Sequence, residues 1–164
     1  MKEPKTYRSK DLTIVSYLRQ DARITLTRMS RETRIPVSTI FEKIRDYKET
    51  GLIKKNTAIV SFEKFGYGTK ALIFFAAQKD DRVKLAEILR NSPSVNSLLR
   101  INSGWDLMAE VIFPNYKEIE DFLEGIEGKV MLKEKKVFYV IEELKKEEFL
   151  SNPKSMTQPD FRPI

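Results

Sequence analysis

The sequence predicts an α+β protein, with an N-terminal helix-turn-helix domain and a C-terminal ferredoxin-like βαββαβ domain. Apolar residues recur at helical spacing through the first third of the 164 residues. The following part alternates short apolar runs, typical of strands, with two amphipathic stretches typical of helices. Its order of strand, helix, strand, strand, helix and strand is that of the split βαβ motif.

The first two helices are short and separated by a turn at residues 21–23. The first is predicted over residues 11–20, with Leu12, Val15 and Leu18 on its apolar face and Ile14 at the edge of that face. Thr25 is placed to cap a second helix that carries Leu26 and Met29 inward.

The third helix follows a break at residues 34–36. Its predicted buried stripe consists of Val37, Ile40, Phe41, Ile44 and Tyr47. Gly51 ends this helix, and Leu52 and Ile53 are expected to return to the core.

The second domain is predicted to contain four strands and two helices. The strands are expected over residues 70–77, 95–101, 107–113 and 129–141, and the helices over residues 80–91 and 116–126. A tight turn at residues 102–105 joins the middle strands. The expected division is therefore a helix-turn-helix domain (1–55), a hinge strand and linker (56–68), a ferredoxin-like domain (69–142) and a flexible or partner-bound tail (143–164).

Composition excludes several kinds of chemistry. The chain has no cysteine and no histidine, which excludes disulfides, cysteine nucleophiles, histidine bases and the usual zinc sites. We therefore expect no cofactor and no metal. No apolar run approaches the length of a membrane span and the first residues lack a signal-peptide core, so we expect a cytoplasmic protein.

The positive charge is concentrated in the first third of the chain. Residues 1–56 contain 14 Lys and Arg against 7 Asp and Glu, whereas the remaining 108 residues contain 16 against 17. A polyanion is therefore expected to meet the N-terminal domain.

The third predicted helix has the layout of a helix that enters a DNA groove. A projection at about 100° per residue centres its outward face on Ser38, Glu42, Arg45 and Glu49. N-terminal turns of such helices meet base edges, and basic residues meet phosphates. The candidate base contacts are Ser38, Thr39 and Glu42, and the candidate phosphate contacts are Lys43 and Arg45, supported by Arg23, Arg28, Arg31 and Arg34. The alternative is an ordinary solvated face, in which Thr39 and Glu42 form a capping box.

The chain resembles the Lrp/AsnC family, the feast/famine transcriptional regulators, over roughly residues 9–142. The family's opening pattern matches Asp11, Ile14-Val15, Leu18 and Asp21-Ala22-Arg23, and VSTIFEKIRDYKETGLI is similar to its recognition helix. The stretches TAIVSFEKFG and INSGWDLMAEVIFPN resemble its hinge strand and effector-domain turn. Lys43 and Arg34 stand where the family usually has arginine and glycine, and the turn at residues 103–106 is one residue tighter than the common form.

The resemblance implies a winged-type helix-turn-helix domain and a ferredoxin-like domain that dimerises through its sheet. It also implies binding to double-stranded DNA as homodimers or larger rings such as octamers, tuned by a small effector such as an amino acid. The turn formed by Ser103, Gly104, Trp105 and Asp106 would border the effector site. Trp105 alternatively packs at a core edge or a subunit interface.

Three functions are therefore considered. The leading one is a sequence-specific transcriptional regulator. The second is an effector-sensing or assembly protein that binds DNA without sequence preference. The third is an enzyme of the siroheme decarboxylase type, which has a similar two-domain fold but, as the resemblance suggests, uses histidines that this chain lacks.

Overall fold

The computed structural model describes residues 7–152, which form two compact units. The first unit extends to Ala58 and is joined by the segment from Leu144 onward, and the second is Ile59–Glu143. The first unit is helical and the second combines a sheet with helices. The predicted α+β class is therefore confirmed.

The helical unit consists of α1 (Ser9–Gln20), α2 (Leu26–Thr33) and α3 (Val37–Glu49). Its core is a single cluster of buried side chains: Ile14, Met29, Ile35, Ile40 and Tyr47. The predicted cap of α2 is confirmed, since Oγ1 of Thr25 accepts a hydrogen bond from the backbone N–H of Arg28 at 3.2 Å. This bond satisfies one of the free N–H groups at the start of the helix.

The turn between α2 and α3 has a left-handed residue at its centre. Arg34 has φ 59° and ψ 22°, a conformation that a side chain with a Cβ adopts at a cost and that glycine adopts freely. This geometry lets the chain leave α2 and begin α3 after Pro36 within three residues. Gly51 (φ 76°) follows the end of α3, as the sequence predicted.

The buried stripe of α3 is narrower than predicted. Ile40 and Tyr47 are buried, but Val37 is 42% and Phe41 is 56% exposed. Both of these lie at the edge of the apolar arc, because they are rotated by roughly 60° to 120° from the direction shared by Ile40 and Tyr47 at about 100° per residue. The prediction that Val37 and Phe41 are core residues is therefore wrong, and Leu52, at 40% exposure, does not return to the core either.

The second unit contains the predicted βαββαβ order. Its elements are β1 (Thr69–Ala77), α4 (Arg82–Asn91), β2 (Val95–Arg100), β3 (Leu107–Phe113), α5 (Tyr116–Glu127) and β4 (Leu132–Tyr139). The strands form one antiparallel sheet in the order β2-β3-β1-β4. Every strand bound agrees with the sequence expectation to within three residues, and α4 begins two residues late, because a 3₁₀ turn occupies Lys79–Asp81.

The two faces of the sheet differ. One face packs on α4 and α5 through a fully buried cluster that includes Ile73, Phe75, Leu85, Leu89 and Ile119. The strand register places the alternate residues of β1 on the opposite face, where Phe74 pairs with Met108 and Leu72 pairs with Phe138. On that face Phe138 is 45% and Leu99 is 51% exposed. Within residues 7–152, the sheet therefore presents an apolar outer face that remains partly exposed.

The two connecting segments lack regular secondary structure. Residues 54–61 form neither helix nor paired strand, and a 3₁₀ turn at Phe62–Phe65 follows. The expected hinge strand would need a second chain to pair with, so it stays a prediction. The expected tail spans residues 143–164, of which residues 153–164 lie outside the described part.

Candidate nucleic-acid interface

The outward face of α3 is polar and accessible. Ser38, Glu42, Arg45 and Glu49 are all exposed, whereas Thr39 is half-buried. Arg45 lies one turn before Glu49, and the guanidinium Nε is 3.7 Å from the carboxylate Oε1. An exposed i,i+4 pair of this length is weak and leaves the guanidinium available to other anions. The predicted face thus presents a hydroxyl, two carboxylates and one loosely held cation.

The arginines around α2 divide into two groups. Arg28 donates from Nε to Oε1 of Glu32 at 2.8 Å, and this hydrogen bond holds the pKa of the Glu32 carboxyl below its usual range. Within residues 7–152, no ion-pair partner is found for Arg23, Arg31 or Arg34, and all three are exposed. These three arginines are free to meet phosphates, and Arg34 is held at the turn that leads into α3.

Lys43 occupies a different place from the one expected. Its ammonium group forms an ion pair with Oδ1 of Asp11, a buried side chain of α1. The hydroxyl of Tyr47 donates to the same oxygen at 2.6 Å, and the backbone N–H of Arg8 donates to Oδ2 at 2.7 Å. Lys43 thus makes an internal contact between α3 and α1, and its predicted phosphate contact stays a prediction.

The environment of Asp11 favours its charged form. Burial alone raises the pKa of the carboxyl, but hydrogen bonds from Lys43, Tyr47 and Arg8 outweigh it, so the pKa lies below its ordinary value. Burial and the Asp11 carboxylate raise the pKa of Tyr47, which remains a donor at all ordinary pH values. This network fixes the position of α3 on α1 without using the outward face.

The turn at residues 103–106 is divided between two roles. Ser103 (φ 61°) and Gly104 (φ 91°) form the exposed tip. The Trp105 ring lies edge-on to the Phe74 ring, with centroids 5.8 Å apart, and so belongs to the outer face of the sheet. Asp106 accepts from the backbone N–H of Ala77 at 2.9 Å and pairs with Arg82 at 2.9 Å. Both carboxylate oxygens of Asp106 are thus engaged within the unit.

A cleft of about 480 Å³ lies between α4 and β2 beside this turn. Three arginines (Arg82, Arg90 and Arg100) and two carboxylates (Glu87 and Asp106) line it together with apolar side chains. Of the four residues predicted to border an effector, only Asp106 reaches this cleft. The arginines were missed by sequence reasoning because they lie on two elements whose juxtaposition depends on the fold.

Residues 7–152 contain no group of three acidic side chains placed to hold a metal ion. Among the helices of this range, none has the length and apolarity needed to cross a membrane.

The helical unit and most of the chain both resemble known DNA-binding proteins. Residues 8–54 match the family model described as winged helix-turn-helix DNA-binding. Over 124 residues the chain is 30% identical to the HTH-type transcriptional regulator FL11 of Pyrococcus furiosus, and the match covers 72% of this chain and 82% of that protein. E. coli AsnC has the same fold, with a TM-score of 0.78 at 15% identity over 87% of this chain and 97% of that one. The chain belongs to the Lrp/AsnC family of transcriptional regulators.

A second solved structure of the same fold is that of the transcriptional regulator NMB0573 of Neisseria meningitidis in complex with L-Met. It has a TM-score of 0.79 and 20% identity, and the match covers 86% of this chain and 94% of that one. In this Lrp/AsnC regulator, α1, α2 and α3 all lie within the residues that match the DNA-binding model. The helical unit is thus the DNA-binding part, and the sheet unit follows it.

Proposed function

We propose that this regulator binds specific double-stranded DNA sites, with α3 in the major groove and the arginines around α2 on the flanking phosphates. The exposed face of α3 is the main support for this proposal. It combines Ser38 in the N-terminal turn with Arg45 about two helical turns further along. Arg23, Arg31 and Arg34 supply exposed cations that form no ion pair within residues 7–152. Glu42 would accept a hydrogen bond from a cytosine amine.

Footprinting on the DNA upstream of the chain's own gene tests this function. Discrete protected sites at physiological salt are the expected result, with affinity well above that for random DNA of equal length. Uniform coverage at the same salt would instead favour an effector-sensing or assembly protein that binds DNA without sequence preference.

The outer face of the sheet supports assembly as a homodimer. Phe138 and Leu99 are about half exposed there, and Phe74 holds Trp105 and Phe138 edge-on at 5.8 and 5.5 Å. Burial of such a face against a second copy would remove apolar surface from water. Sedimentation of the wild type and of Phe138→Lys should show a dimer or larger ring that the variant shifts toward monomer. An octamer would arise from four such dimers.

A small effector with a carboxylate, such as an amino acid, fits the cleft between α4 and β2. Arg90 and Arg100 have no acidic partner within residues 7–152, and an arginine fork suits a carboxylate. NMB0573 was solved with L-Met, a ligand of this chemical class. Calorimetric titration of the twenty amino acids into wild type and Arg100→Ala tests the site, and a ligand that binds both equally would place it elsewhere.

We further propose that the protein has no enzymatic activity and acts in the compartment that holds the DNA, the cytoplasm. Among residues 7–152 the perturbed acids and bases serve the structural network of Asp11 or surface pairs such as Arg28–Glu32. Absence of tetrapyrrole binding in an absorbance titration would support this reading.

A further inference from the structure

Phe41 is an aromatic side chain that the helical unit leaves in water. It is 56% exposed, although α3 buries its neighbour Ile40 completely. Single exposed apolar residues are common on proteins. Phe41, however, stands at the fifth position of the helix that carries the proposed DNA contacts, and Val37 beside it is also exposed. The position of this ring among the proposed DNA contacts of α3, and not its exposure alone, indicates that it contacts a partner.

The ring lies on the same helical face as the polar contacts. Phe41 follows Ser38 by three residues and precedes Arg45 by four, and residues at these spacings are neighbours on a helix surface. At about 100° per residue the three directions fall within about 60°. All three residues lie within the first nine of the thirteen residues of α3, and the N-terminal part of a recognition helix approaches base edges.

The surroundings of the ring combine apolar and cationic groups. A shallow cavity of about 190 Å³ beside Phe41 is lined by Leu26, Ile44, Arg45 and Lys48. Lys48 has no acidic partner within residues 7–152, and Arg45 has only the 3.7 Å contact to Glu49. This apolar surface with cations at its edge would fit a partner that carries negative charge along its surface and a single apolar group between those charges. A duplex has phosphates along the groove and a single apolar group in it, the thymine 5-methyl.

We propose that Phe41 determines sequence specificity by packing its ring on the 5-methyl group of a thymine next to the base that Ser38 reads. The proposal rests on the proposed function, since it assigns a role within the same DNA interface. A phenyl ring has no hydrogen-bonding group, so it discriminates thymine from cytosine and from uracil only through the methyl group. The contact therefore predicts a thymine requirement that depends on one side chain.

A deoxyuridine scan tests the contact directly. Each thymine of a footprinted half-site is replaced singly by deoxyuridine, and the Kd of each duplex is measured for the wild type and for Phe41→Ala at one salt concentration. At one position per half-site the wild type should lose about 4-fold in affinity, the effect of one buried methyl group. Phe41→Ala should bind the thymine and uracil duplexes equally at that position.

Phe149→Ala is the matched control, because its ring is 79% exposed in the same unit but lies outside the proposed interface. It should keep the wild-type profile, and the thermal midpoints of both variants should match the wild type. The proposal would be overturned if wild type and Phe41→Ala showed the same Kd change at every uracil-substituted position. It would also be overturned if Phe41→Ala weakened only protein–protein association. Neither result would affect the proposed function, which fails separately if the wild type protects no discrete site.

Discussion

The phenolic hydroxyl of Tyr47 donates a 2.6 Å hydrogen bond to Oδ1 of Asp11, and both side chains are buried. The same oxygen is paired with Lys43, so one carboxylate of α1 holds two consecutive turns of α3. A buried charge that lost these partners would be left without solvation, so the network acts as a unit. The position of α3, the proposed recognition helix, therefore depends on a carboxylate that is buried in the helical unit.

Asp11→Asn should destabilise the protein by about 2 kcal/mol at neutral pH, because hydrogen bonds to a charged group are worth about 1.5–3 kcal/mol. The pKa of Asp11 is lowered by folding, so its contribution is complete above the ordinary value of 3.8 and is lost as pH falls through the lower folded value. Urea unfolding followed by circular dichroism at pH 7 and at several values below 4 measures both effects. The wild type should lose more stability than Asp11→Asn over the acid range, and parallel curves would contradict the assignment.

Arg45→Ala should weaken binding to every duplex. It should also reduce the slope of log Kd against log salt concentration by the amount expected for about one phosphate contact. The physical reason is that its guanidinium, bound only loosely to Glu49, stands on the outward face of α3. Lys84→Ala is a suitable control, since Lys84 is an exposed cation on α4 of the other unit. Equal salt slopes for Arg45→Ala and Lys84→Ala would remove Arg45 from the interface.

Ser38→Ala should relax base preference at one position of the half-site and leave affinity for random DNA unchanged. An exposed hydroxyl at the second residue of α3 is well placed to donate to or accept from a base edge, whereas half-buried Thr39 is less accessible. Competition binding against a library randomised one position at a time measures the effect. A uniform loss across all sequences would mean that Ser38 contacts the backbone instead.

The sequence predicted the elements well and the interface only in part. Helical and strand periodicities located the five α-helices and four strands of residues 7–152, because most of these elements bury one face and burial produces the pattern. The ion pair between Lys43 and Asp11 could not be predicted, since Asp11 lies 32 residues away and only the packing of α1 on α3 brings the two side chains together. The pattern wrongly predicts that Phe41 is a core residue, because periodicity defines the centre of an apolar stripe better than its edges.

Arg34→Gly should stabilise the helical unit by about 0.5–1 kcal/mol. The left-handed conformation at φ 59° costs an L-residue about 1–2 kcal/mol, and the greater unfolded-state entropy of glycine offsets part of this gain. Arg34→Ala keeps the Cβ and removes the charge, so both variants should lose the same phosphate contact while only glycine raises the thermal midpoint. Equal midpoints for the two variants would show that the turn is not strained.

Arg19→Ala should release the segment that follows the last strand. The guanidinium donates to the carbonyl of Glu147 (2.7 Å), to its carboxylate (2.8 Å) and to the carbonyl of Phe149 (3.0 Å), and Glu147 (φ 52°) and Leu150 (φ 61°) adopt left-handed conformations around it. The segment thus rejoins α1 within the helical unit.

Amide hydrogen exchange across residues 144–152 measures the release. Loss of local stability by 1–2 kcal/mol corresponds to exchange that is roughly 5- to 30-fold faster. Arg19→Lys is the control, because it keeps the charge but has no planar fork to span two carbonyl groups, so it should exchange nearly as fast as Arg19→Ala. Wild-type exchange rates in both variants would mean that contacts other than those of Arg19 hold the segment on α1.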